Sequence, residues 1–155
     1  MSDQRLLELL LKDIETAQQL LTLLEHEFSA LSERDLTTLQ ELLTQKQPAL
    51  LALQQHSSER SQLLRQNNLS ADQQGLTALA AHSAIGPQLL DSSAQLNALL
   101  DQCQQANLRN GRLIRSNQTS VNSMLNIIRG TDTPSLYDKT GSAAGSSKQR
   151  PFSQA

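Results

Sequence analysis

Residues 5–31 read RLLELLLKDIETAQQLLTLLEHEFSAL. Within them Leu7, Leu10, Ile14, Ala17, Leu21, Leu24, Phe28 and Leu31 recur at alternating steps of three and four. That spacing stacks side chains along one side of an α-helix, whereas a half-buried strand needs steps of two. Leu6, Leu11, Leu20 and Leu23 widen the apolar stripe beyond a two-stranded seam, so this helix is expected to touch more than one neighbour. A bundle fits better than a dimeric rod. Glu8, Asp13, Glu15, Glu25 and Glu27 fall on or beside the opposite face and read as solvated, with Glu8 and Lys12 in the favourable i, i+4 order.

Downstream, Ser32-Glu33-Arg34-Asp35 offers a capping Ser followed three residues later by an acid, which predicts a new helix start and a chain reversal. The second helix keeps the three-four steps through Leu36, Leu39, Leu43, Lys46, Leu50, Leu53, Ser57, Arg60 and Leu64. Pro48 lies inside it and should kink rather than break it, because the apolar phase survives. Ser70-Ala71-Asp72-Gln73 predicts another cap, before a short helix carrying Leu76, Leu79 and Ala80. After Gly86, Pro87 suits a first helical turn, and Gly130 and Pro134 stop the longest helix.

The expected architecture is all-α: an elongated, coiled-coil-like antiparallel bundle of three long helices, with a short connecting helix and a flexible carboxy-terminal tail. The helices are placed near 4–31, 33–66, 72–83 and 87–129, the bundle over 1–130 and the tail over 131–155. That tail, rich in Ser, Thr, Gly and Lys, offers too little apolar surface to offset its ordering entropy.

Composition narrows the function. The 155 residues carry a formal charge of -2, which disfavours a phosphate backbone as main partner, and aromatics make up only 2%. The Leu- and Gln-rich remainder suits helix interfaces rather than sheets. The single cysteine, Cys103, cannot form an internal disulfide, and no signal-peptide pattern or 20-residue apolar run occurs, so a soluble cytosolic protein is expected. His26, His56 and His82 fall one per helical segment without metal-ligand spacing, and no nucleophile elbow or phosphate loop is present. Neither a metal, a cofactor nor catalysis is expected.

The seam of the last helix runs Leu89, Ser93, Leu96, Leu100, Cys103, Asn107, Asn110, Ile114, Asn117, Val121, Met124 and Ile128, so three Asn side chains point inward. Two readings compete. Asn107, Asn110 and Asn117 either hydrogen-bond across the bundle and set helix register, or mark a wet interface that an incoming peptide reuses. Gly111 is costly in mid-helix, and its expected use is the close approach of another helix. At about 1.5 Å per residue the last helix, at roughly 65 Å, outruns the others. Its end should therefore overhang, leaving Val121, Met124, Leu125, Ile127 and Ile128 without enough neighbours. A partner's amphipathic helix or a second copy of the chain would cover them.

Three local patterns resemble the FlgN family, the cytosolic chaperones of flagellar type III export. Asp35-Leu36-Thr37-Thr38-Leu39 leading to Lys46 looks like the family's D-L-x-x-L spacing. Asn107-Leu108-Arg109-Asn110-Gly111-Arg112-Leu113-Ile114 is similar to its N-x-x-N-G-x-L-I signature, and Tyr137-Asp138-Lys139-Thr140-Gly141 to its Y-x-x-x-G element. The resemblance implies binding to the carboxy-terminal helical segments of hook-filament junction proteins of the FlgK and FlgL type, with Asn117, Val121, Met124, Leu125 and Ile128 as contacts. It further implies delivery to an export-gate component of the FlhA type, with Tyr137 as the matching anchor, and no catalysis; the charge balance and the lack of a long apolar run speak against nucleic-acid and membrane-inserted roles. A self-associating coiled-coil adaptor is the alternative, and an enzyme assembled from scattered residues the third class.

Overall fold

In a computed structural model, residues 2–129 are described, with the backbone alone at 120–125 and 127–129. The expected tail, 131–155, lies outside the described residues. Four helices follow one another: α1 (Ser2–Glu33), α2 (Leu36–Gln66), α3 (Gln73–Ala81) and α4 (Gly86–Arg129). They form a helical bundle in which α1 packs against both α2 and α4, while α3 packs mainly on α4.

Both ends of α2 are defined by local hydrogen bonding. Ser32 does not cap it, contrary to expectation: α1 continues through this residue, and the Ser32 hydroxyl donates to the Phe28 carbonyl inside α1. Asp35 is the cap instead, accepting from the Thr38 N–H and, at 2.6 Å, from the Thr38 hydroxyl. Those two bonds to the carboxylate, the hydroxyl's the larger effect, hold the Asp35 pKa below its ordinary value. Between the helices Arg34 takes a left-handed φ of 56°, so that Arg34 N–H reaches Leu31 O and Asp35 N–H reaches Ala30 O, the double closure of a Schellman turn. The same closure recurs after α2, where Asn68 at φ 60° brings the Leu69 N–H back to Leu64 O.

α2 runs through Pro48 without a break. Pro48 and Thr44 are both exposed, so the carbonyl that loses its helical donor faces solvent. Asp72, rather than Ser70, caps α3, accepting from the Gly75 N–H. At Gly86 a Cβ would lie 2.1 Å from the Ala80 carbonyl oxygen, so the turn from α3 into α4 requires glycine.

α1 and α4 run parallel in one register. Cys103 Sγ donates to Ala17 O, Asn110 Nδ2 to Leu24 O and Asn117 Nδ2 to Leu31 O, each pair 86 positions apart and each step one heptad further along. At the lower end Leu6, Leu10, Ile14 and Ala17 meet Leu64, Leu76, Leu89 and Leu96 in the main core. A second cluster joins Leu20 and Leu24 to Cys103 and Ala106. α2 runs antiparallel to both, which brings Lys46 to Glu27 near one end and Glu59 to Arg5 near the other.

Not all of the α1 acids are solvated, contrary to expectation, because Asp13 falls in step with the buried Leu6, Leu10, Ala17, Leu20 and Leu24. Asp13 is fully buried against α2, with His56 Nδ1 2.5 Å from one carboxylate oxygen and the Arg60 guanidinium on the other. Glu27 is largely buried too, paired with Lys46 at 2.9 Å. Among the described residues no helix is long and apolar enough to cross a membrane, and no cluster of His, Cys, Asp and Glu could hold a metal ion.

Candidate helix-docking groove

Because α1 is the shared helix, α2 and α4 flank it without packing substantially on each other. Over the first half of α2 this leaves an open trough. Leu36, Leu43 and Leu50 repeat one heptad apart, and the first two are 72% and 54% exposed although their helical phase directs them toward the bundle. Across from them α4 carries Leu108 and Ile114, with Leu31 of α1 at the base. The cavity between these walls measures about 550 Å³ and is also bordered by Leu39, Asn107, Gly111, Asn117, Gln118, Glu27, Lys46, Arg34 and Arg115.

A buried polar belt closes its lower end. Glu27 accepts from Lys46 Nζ and from Asn110 Nδ2, each at 2.9 Å, and Asn110 also donates to the Leu24 carbonyl at 2.8 Å. Arg109 stands 4.0 Å above the Phe28 ring and pairs with Glu25. One guanidinium nitrogen of Arg109 is buried with no hydrogen-bond acceptor, and the ring face is the group that partly compensates it. The Cys103 thiol lies below the belt, where burial raises its pKa and keeps it protonated and inert.

Among the described residues no other helix closes on Gly111, contrary to expectation. A Cβ there would meet only an Arg115 guanidinium nitrogen, at 3.7 Å, an ordinary contact, so the space above it belongs to the groove. Gly111→Ala is therefore expected to stabilise the protein by about 1 kcal/mol, the helix-propensity difference, in urea denaturation. Destabilisation would mean that another helix does occupy that space.

Of the residues singled out by sequence, Asn107 and Asn117 border the groove, and Asn110 sits in its belt. The 86-residue offset places Glu33, the end of α1, level with position 119 of α4, so residues 120–129 project about 15 Å beyond it. Val121, Met124, Leu125 and Ile128 lie on this projecting helix, with side chains outside the described residues, and Tyr137 also lies outside the described residues. Leu36, Leu39, Leu43, Leu108 and Ile114 were not foreseen as groove walls. The heptad of leucines facing an Asn-rich seam was the available signal, since α4 has too few apolar side chains there to cover them.

Fold and groove together define a class: a helical bundle with an open apolar trough between two of its helices. The family model for FlgN protein matches residues 1–145. A crystal structure of a Pseudomonas aeruginosa chain assigned as flagella synthesis protein FlgN is 46% identical, with a TM-score of 0.69 over 79% of this chain and 94% of that one. No curated protein matches the chain. The chain belongs to the FlgN family, and that membership supports a flagellar chaperone role.

Proposed function

We propose that this protein is a cytosolic flagellar export chaperone that holds the carboxy-terminal helical segments of hook-filament junction proteins of the FlgK and FlgL type. The observation that carries this reading is the apolar trough between α2 and α4, continuous with the projecting end of α4. A bound helix lays its i, i+3, i+4 and i+7 side chains against Leu36, Leu43, Leu108 and Ile114, then against Val121, Met124, Leu125 and Ile128, with Asn117 between the two sets. Covering that face on the cargo prevents early self-association. Tyr137 is the proposed anchor for an export-gate component of the FlhA type, which receives the loaded chaperone.

Calorimetric titration with carboxy-terminal peptides of junction proteins tests this. Saturable binding with a negative heat-capacity change is expected, with none for a scrambled peptide. Leu43→Glu, at an already exposed position, should weaken binding at least about tenfold while leaving helicity unchanged, and so should Val121→Glu with Ile128→Glu. Tyr137→Ala should keep peptide affinity and lose capture by the gate component. Absence of binding to every native peptide, together with a stable dimer in sedimentation, would favour a self-associating adaptor.

A further inference from the structure

Resting on the groove reading above, we infer that the helix this groove accepts carries acidic side chains along the edges of its apolar stripe. The chain has a formal charge of -2, yet from Gln102 through Thr131 its only charged residues are Arg109, Arg112, Arg115 and Arg129. The half of α4 that forms the groove wall is thus purely basic on an acidic protein. Among the described residues that line the groove the single acid, Glu27, is already engaged by Lys46 and Asn110. Arg34 and Arg115 border the opening, and their guanidinium groups form no ion pair with any described residue.

Arg34 adds a separate observation. It occupies the left-handed position of the turn after α1, with φ 56°, where glycine is the residue of least strain. Arginine there is conformationally unfavourable, and what it supplies is a positive charge at the groove mouth. Apolar walls with a cationic rim match an amphipathic helix with Asp or Glu beside its stripe, since opposite charges at a rim steer encounter and like charges reject. A lipid surface of the same charge fits worse, because a flat bilayer cannot enter a trough between two helices. Each groove wall spans about 15 Å and the projecting helix adds about as much, which corresponds to a partner helix of roughly 20 residues.

The test uses the full chain and two synthetic helical peptides with one apolar stripe, flanked in one by Glu and in the other by Lys, followed by fluorescence anisotropy at low and high salt. Anionic vesicles serve as a third ligand. The Glu-flanked peptide should bind about tenfold or more tighter, and lose most of that advantage as salt rises. Arg34→Glu combined with Arg115→Glu should reverse the preference, whereas Arg65→Glu, at the far end of α2, should not change it. Equal affinity for the two peptides would overturn the charge inference and leave the groove reading standing. Binding of vesicles but of neither peptide would overturn the inference in favour of a lipid surface. If neither these peptides nor the native junction segments bind, the groove reading falls as well.

Discussion

Asp13→Ala is expected to lower the unfolding free energy by about 3–5 kcal/mol, the range for breaking a buried ion pair from one side. Asp13 is 0% exposed and is the carboxylate to which both His56 and Arg60 of α2 turn. Burial acts to pull the Arg60 pKa down, because a guanidinium removed from water is less stable charged, and Asp13 supplies the charge that opposes this. Without the carboxylate, α2 would hold a half-desolvated guanidinium against the apolar flank of α1. The penalty belongs to that stranded cation more than to the lost attraction. Asp13→Leu combined with Arg60→Met should therefore recover most of the stability, since a well-packed apolar pair of similar volume often equals a buried ion pair. Urea denaturation followed by helical circular dichroism measures both. A loss below about 1 kcal/mol for Asp13→Ala would mean that water reaches this carboxylate in solution.

The same residue shows where sequence stops being informative. Asp13 falls in three-four step with Leu6, Leu10, Ala17, Leu20, Leu24 and Leu31, all buried, so it lies on the observed core face of α1, whereas Leu7, Leu21 and Phe28 of the expected seam are only half-buried. What the sequence leaves open is which of two overlapping leucine stripes faces the core, the one through Leu6 and Leu20 or the one through Leu7 and Leu21, and the partners of Asp13 lie 43 and 47 residues away. The helix order was legible because long three-four periodicities admit few alternatives, and the stop at Asn67-Asn68 has a local cause in the left-handed φ of Asn68. The start of α2 was less so: Ser32 and Asp35 can both cap, and the choice fell to Asp35 because Arg34 closes the preceding helix in a Schellman turn.

The groove was half legible for a related reason. Periodicity identifies side chains that face inward but not whether anything fills the space they face. Leu36, Leu43 and Leu50 have the same spacing in a closed bundle as in an open one. Gly111 was misread on the same account, since a small residue in a helix marks room beside the backbone whether a neighbouring helix occupies it or not. The overhang of α4 was accessible to length arithmetic once the three long helices were placed, because rise per residue is nearly constant.

Asn110→Ala is expected to cost about 2–4 kcal/mol, since Asn110 Nδ2 donates both to a carboxylate and to a carbonyl, bonds worth roughly 1.5–3 and 0.5–1.5 kcal/mol respectively. At 1% exposure Asn110 has no water to replace them. Asn117→Ala should cost less than about 1 kcal/mol, because Asn117 is only half-buried and its bond to Leu31 O is long at 3.3 Å. The contrast between the two positions, read by urea denaturation, separates the value of burial from that of membership in the ladder. Asn110→Leu carries the argument further. Leucine restores apolar burial but cannot choose among the carbonyls of α1, and the remaining Cys103 and Asn117 bonds are weak holders of register. The expected outcome is a protein more stable than Asn110→Ala yet slower in amide exchange nowhere along 107–118, with weaker capture of a partner helix, because the groove keeps its shape only while α4 stays in step with α1. Full retention of partner affinity in Asn110→Leu would assign the register to the leucine core alone.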